Sequence, residues 1–142
     1  MFPVSRSLWH TCWAIVLCLS CCTAGGASIA SSDAPPAPDM PSGWKVEIDF
    51  EVPSPHVASI AEKLGAEIES LRNTIYDVNG KRVQLNVIVT PDSENAEKLM
   101  AKLKSMKSDV GLLRKNLTIY EFVGKNDVLP IILEGRKHLD SP

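Results

Sequence analysis

Three carboxylates stand at alternate positions in one short stretch, Glu47, Asp49 and Glu51. In a strand, alternate side chains point to one face about 7 Å apart, so the three are expected to share a face. Such a row suits a cation or a basic partner. A hard cation, however, asks for about six or more converging oxygens, which a flat strand does not offer. A solvated face whose acids pair with Lys45 and Arg82 is the simpler expectation. Other chemistry fails on inventory. Beyond the first thirty residues the histidines are His56, at an expected helix start, and His138, near the C-terminus. Neither has a cysteine partner or a second histidine at metal-ligand spacing. The strand-to-helix turns, Pro53-Ser54-Pro55 and Thr90-Pro91-Asp92, lack the glycines that cradle phosphate. We therefore expect no catalytic, cofactor-binding or metal-ligating residue. An enzyme would have to work through Glu47, Asp49 or Glu51 without a histidine.

The cysteines explain part of that poverty. All four, Cys12, Cys18, Cys21 and Cys22, fall in the first 22 of 142 residues, inside an uncharged run from Ser7 to Ser32. Arg6, the apolar Leu8–Cys22 stretch and the small residues Thr23-Ala24-Gly25-Gly26-Ala27 read as a secretory signal over residues 1–30, cut between 22 and 30. The apolar run is shorter than the ~20 residues of a membrane span. The product is expected to be secreted or periplasmic. The alternative is a membrane-anchored lipoprotein, since Leu19-Ser20-Cys21-Cys22 resembles a lipobox with Cys21 or Cys22 as the acylated residue. Membrane contact is expected only through this segment, if it is lipidated or stays uncleaved as an anchor. Of the 15 basic residues, losing Arg6 leaves 14 against 17 acidic ones. A mildly acidic domain has no electrostatic reason to bind nucleic acid.

Residues 31–43, SSDAPPAPDMPSG, cannot build a core and read as an extended proline-rich linker. A domain is expected over 44–142. Trp44, Val46, Ile48, Phe50 and Val52 alternate with charged residues, the period of a half-buried strand. Ser54-Pro55 signals a helix start, and the apolar spacing from Val57 to Leu71 carries the helix to about Arg72. Gly65 offers an earlier stop, in which case residues 67–78 become a long strand. Asn79-Gly80 between Thr74–Val78 and Lys81–Val89 is a two-residue hairpin signal. Thr90-Pro91 opens a second helix, with Ala96, Leu99, Met100, Leu103 and Met106 on its apolar side. Residues 116–123 form a fourth strand and 127–139 a C-terminal helix.

The order predicts an α+β fold, a ferredoxin-like βαββαβ sandwich with a four-stranded antiparallel sheet, two helices on one face and an added C-terminal helix. There the first strand is central and borders the third, so Glu47, Asp49, Glu51, Arg82, Gln84 and Asn86 form a candidate binding face. Its acids argue against RNA. Val128, Leu129, Ile131, Ile132 and Leu133 are too many aliphatics for a wet helix. They either cover the sheet or form an interface with a second copy. The lysines of the second helix, Lys98, Lys102, Lys104 and Lys107, are expected on a solvated face. Asn116-Leu117-Thr118 matches the N-glycosylation pattern, a short motif that is common by chance.

In element order, with the strand opening at Trp44, the Asn79-Gly80 hairpin and the helix written Ser93-Glu-Asn-Ala-Glu-Lys-Leu99, residues 44–123 resemble small ferredoxin-like modules such as the SPOR domains of bacterial envelopes. That resemblance implies peptidoglycan binding. ACT-type ligand-binding domains and copper chaperones share the topology. The chaperone reading is excluded because Val52-Pro53-Ser54-Pro55 stands where their Cys-x-x-Cys loop would be. The expected function is a small exported, non-catalytic binding or assembly module of the cell envelope or extracellular space. It would partner itself, an envelope protein or a glycan. A small-molecule or cell-wall-glycan binding domain is the alternative.

Overall fold

The computed structural model describes residues 34–106 and 109–142. The expected export signal, with Cys21 and Cys22, and Lys107 lie outside the described residues. An antiparallel sheet of five strands carries the fold: β1 (Trp44–Glu51), β2 (Ser70–Val78), β3 (Lys81–Val89), β4 (Leu112–Lys115) and β5 (Thr118–Val123), in the order β1-β2-β3-β5-β4. Among the described residues three α-helices accompany it: α1 (Ser54–Leu64), α2 (Ser93–Met106) and α3 (Leu129–Asp140). The α+β class and the antiparallel pairing are as the sequence predicts.

The ferredoxin-like order is not. β1 lies at the sheet edge beside β2 instead of at the centre beside β3, and there are five strands where four were expected. The first cause is Gly65. It adopts the left-handed conformation (φ 69°) and its N–H caps the carbonyls of Ala61 and Glu62 at 2.9 and 3.3 Å. Only glycine takes that conformation without steric cost. The helix therefore ends at Leu64 and not near Arg72, and β2 begins at Ser70. Since Glu51 pairs with Arg72, α1 leaves and rejoins the sheet at the same end. It is an excursion between neighbouring antiparallel strands, not a crossover to a parallel one. The second half does keep a crossover: β3, α2 and β4 form a split unit with β5 inserted antiparallel between the two strands. β4 is the extra strand, closed onto β5 by Asn116 at φ 54°.

Asn79 and Gly80 (φ 55° and 79°) make the hairpin between β2 and β3, as their sequence demands. At α2 the cap is Asp92, not Thr90: Asp92 Oδ1 accepts the Asn95 N–H at 2.8 Å, whereas Thr90 Oγ1 donates to the Leu117 carbonyl at 2.9 Å. Thr90 thus ties the helix start to the β4–β5 turn.

Each sheet face has its own apolar layer. On one, Val57 of α1 and Leu99 and Leu103 of α2 pack on Leu71, Ile88, Ile119 and Leu112, with Phe50 and Val52 from the β1 end. On the other, Val128 and Ile132 pack on Tyr76, Val78, Val83, Leu85, Val87 and Phe122, joined by Met40 and Trp44. α3 therefore covers the face opposite the other two helices. A buried aliphatic side chain is worth about 1.5–3 kcal/mol, so losing either layer would unfold a domain of this size.

Candidate functional site

β1 decides what the acidic residues can do. Its apolar-charged alternation would put Trp44, Val46, Ile48 and Phe50 on one face. The ladder instead pairs Val46 with Tyr76 and Ile48 with Ile75, which leaves Glu47 as the extra residue of a β-bulge. A bulge reverses the facing of everything beyond it. Trp44 and Val46 face the α3 side, while Ile48 and Phe50 face the α1–α2 side.

Glu47, Asp49 and Glu51 consequently do not form a common row. Glu47 reaches across β2 to Arg82, with Nε–Oε2 at 2.8 Å. Asp49 turns to the opposite face, where Arg72 Nε and Nη2 donate to its two oxygens at 2.9 and 2.7 Å. Thr74 Oγ1 donates a third bond at 2.9 Å. The Arg72 hydrogen bonds, with help from Thr74, hold the Asp49 carboxyl below its usual range against the opposing effect of burial. Glu51 sits opposite Arg72 in the ladder. The three acids are two ion pairs and a neighbour, not a cation cage. Among the described residues no group of three or more His, Cys, Asp or Glu could hold a metal ion.

Arg82, Gln84 and Asn86 do share a face, but their polar neighbours come from the centre of the sheet. Gln84 Nε2 donates to Asn86 Oδ1 at 2.8 Å, and Asn86 Nδ2 donates to Glu121 Oε2 at 2.7 Å. The register sets Phe50, Asn73, Asn86, Glu121 and Leu112 in one row across the strands. Asn73 and Glu121 are each only 6% exposed, and Asn73 Oδ1 is buried with no hydrogen-bond partner among the described residues. Neither residue is singled out by the sequence alone. The alternation of β5, Thr118-Ile-Tyr-Glu-Phe-Val, does mark Glu121 as sharing a face with Ile119 and Val123, but reading a buried acid there requires the strand order.

The next row outward is Ile48, Ile75, Gln84 and Val123. Ile48 is 48% exposed, and the other three are half-buried. No residue of α1 or α2 belongs to an apolar cluster with this row; the helices cover the other end of the face. The result is an open strip with an amide at its centre, aliphatic groups beside it and the Glu47–Arg82 pair at its rim. It can hydrogen-bond a neutral polar group and offer apolar surface, and it has no converging acid and base.

The candidate interface helix splits in two. Val128 and Ile132 are buried against the sheet and Ile131 is half-buried, while Leu129 and Leu133 are 44% and 47% exposed. His56 is exposed at the first turn of α1, and His138 lines a shallow hollow with Pro41, Glu134, Lys137 and Ser141. A second hollow lies between the end of α1 and the start of α2, lined by Gly65, Glu67, Asn95 and Lys98 among others. Lys98 pairs with Glu94 at 2.6 Å, and Lys98, Lys102 and Lys104 are exposed, as expected of a solvated face. Asn116 is exposed at the tip of the β4–β5 hairpin. Comparison with known proteins finds no matching family, no similar curated protein and no similar solved structure.

Proposed function

We propose that this chain is a small exported, non-catalytic binding module whose recognition surface is the open strip of the sheet, Ile48, Ile75, Gln84 and Val123 with Arg82, Glu47 and Asn86. The observation that carries this reading is that neither helix of that face packs on the row of Ile48, Ile75, Gln84 and Val123, which leaves aliphatic side chains beside the Gln84 amide. A surface of this composition suits a neutral polar ligand or another protein, since recognition sites combine apolar area with a few placed hydrogen-bonding groups. The partner is a component of the envelope or the extracellular space, reached through the export signal. Lipid anchorage at Cys21 or Cys22 is the alternative route to the same compartment.

Cosedimentation of the mature chain with purified peptidoglycan tests the glycan version. Retention that is lost in a Gln84→Ala/Asn86→Ala variant supports it, and no retention of the parent chain removes it. Assembly with a second copy is the other reading, favoured by Leu129 and Leu133 lying four residues apart on the outer side of α3. Light scattering separates the two. A dimer that dissociates on Leu133→Asp assigns assembly to α3, and one that dissociates on Ile48→Asp assigns it to the strip. A monomer at all concentrations eliminates self-assembly.

A further inference from the structure

The described part of the proline-rich segment lies against the domain. From Pro35 to Ser42 the exposed residues are Pro36, Asp39 and Ser42, while Pro35, Ala37, Pro38, Met40 and Pro41 are half-buried. Exposure at every third residue is the period of a polyproline II helix resting on a surface. The surface is aromatic. Trp44 meets Tyr76 edge-on at 5.4 Å and Phe122 at 6.2 Å, and Met40 packs on the same cluster. The Tyr76 hydroxyl donates to the Pro38 carbonyl. α3 makes room for this arrangement with Gly135, where a Cβ would come within 2.6 Å of the Trp44 ring and 3.0 Å of Met40 Cε.

The segment fills this seat imperfectly. Its hydrogen bond from Tyr76 is 3.4 Å long, against the ~2.7–2.8 Å usual for O–H···O. The Trp44 Nε1 atom is buried and finds no acceptor among the described residues. A buried indole N–H ordinarily has a partner. Grooves that read proline-rich strands use aromatic walls for the rings and side-chain donors for the backbone carbonyls. Both parts are present here, with one donor held loosely and the other unused. Pro41 also borders the open hollow lined by Glu134, Lys137 and His138, so there is space beside the resident segment.

We propose that Trp44, Tyr76 and Gly135 form a binding groove for extended proline-rich segments of another polypeptide, and that residues 37–41 occupy it in cis as a low-affinity competitor. This groove is on the α3 face, apart from the open strip, and does not depend on that reading. The tethered segment competes at the high effective concentration of a short linker, in the millimolar range. An external ligand therefore binds well only when it satisfies the donors better or when the resident is weakened.

The test uses the full mature chain and the peptide DAPPAPDMPSG as probe, followed by the Trp44 indole N–H resonance and by calorimetry. In a Pro38→Gly/Met40→Asp variant the probe is expected to bind and shift that resonance, at least tenfold more tightly than in the parent chain. Adding Gly135→Leu or Tyr76→Phe to the variant should weaken binding at least fivefold. A probe with its prolines replaced by alanine should not compete. A folded variant with no shift overturns the groove, as does equal binding of the alanine probe. Equal affinity in the parent chain and the variant overturns the cis competition. If the double variant is unfolded, Pro38→Gly alone, which leaves Met40 in its seat, carries the same comparison.

Discussion

Asp49 shows how a residue that looks functional in the sequence becomes structural in the fold. Its two oxygens accept three hydrogen bonds, two from Arg72 and one from Thr74, and these join the edge strand to its neighbour. Charge-assisted bonds are the stronger kind, though partial exposure screens them. Replacing Asp49 with Asn should cost about 1–2 kcal/mol at neutral pH, read as a lower urea midpoint. The pH dependence has a definite sign. The folded-state pKa is depressed, so the contribution is complete above the ordinary aspartate range and disappears as pH falls through the folded value. The gap between parent and Asp49→Asn midpoints should therefore close in acid. A gap of constant size from neutral pH to pH 2 would assign the loss to packing. Gly65 offers a second test at this scale. With φ at 69°, Gly65→Ala should cost about 1–2 kcal/mol and lower the melting temperature without changing the circular dichroism spectrum.

At the scale of the element, β1 carries the lesson. Its alternation correctly announces a strand, but a bulge leaves no mark in a pattern of alternating apolar and charged residues. Alternation alone thus predicts one face for Glu47, Asp49 and Glu51, which occupy two. The hairpin at Asn79-Gly80 is legible because turn residues act locally, whereas the Thr90-Pro91 signal falls two residues early, since Asp92 caps α2. The place of β1 in the sheet is not legible, because it depends on whether Gly65 ends a helix or sits within one, and spacing alone permits both. β4 is not legible in the sequence because Leu112-Leu113 lacks alternation and its turn uses Asn116 in place of glycine. The bulge also suggests a use. β1 is an edge with Val46 and Ile48 exposed at 56% and 48%, a liability that bulges and charges commonly guard. Deleting Glu47 keeps every other residue on its present face while removing the bulge. The deletion variant should fold with a stability change within about 1 kcal/mol, yet self-associate at concentrations where the parent chain is monomeric. Sedimentation velocity reads this directly, and an unchanged monomer would show that the bulge does not guard the edge.

For the molecule as a whole, Tyr76 is the point where sheet, proline-rich segment and α3 layer meet. It is 2% exposed, pairs edge-on with Trp44 and donates to Pro38. Burial, with the nearby Asp49 charge adding to it, pushes its hydroxyl up to about 12. A group whose folded pKa is raised stabilises fully below its unfolded value. Here that contribution is lost as pH climbs from the ordinary tyrosine value of about 10 to the folded one. Ionisation is then opposed by about 2–3 kcal/mol of folding free energy, enough to shape the alkaline limb of stability for a marginally stable domain. The parent chain should show a falling urea midpoint between pH 10 and about 12, the upper bound being the folded-state value of Tyr76. Tyr76→Phe should begin about 0.5–1.5 kcal/mol lower at neutral pH for want of the hydroxyl bond, then decline less steeply. Because that loss exceeds the gap at neutral pH, the two curves should converge in alkali and then cross. Parallel curves would move the alkaline limb to other groups and reduce Tyr76 to a packing residue. Convergence would mean that the same hydroxyl holds the proline-rich segment at neutral pH and undoes the α3 face of the sheet when it ionises.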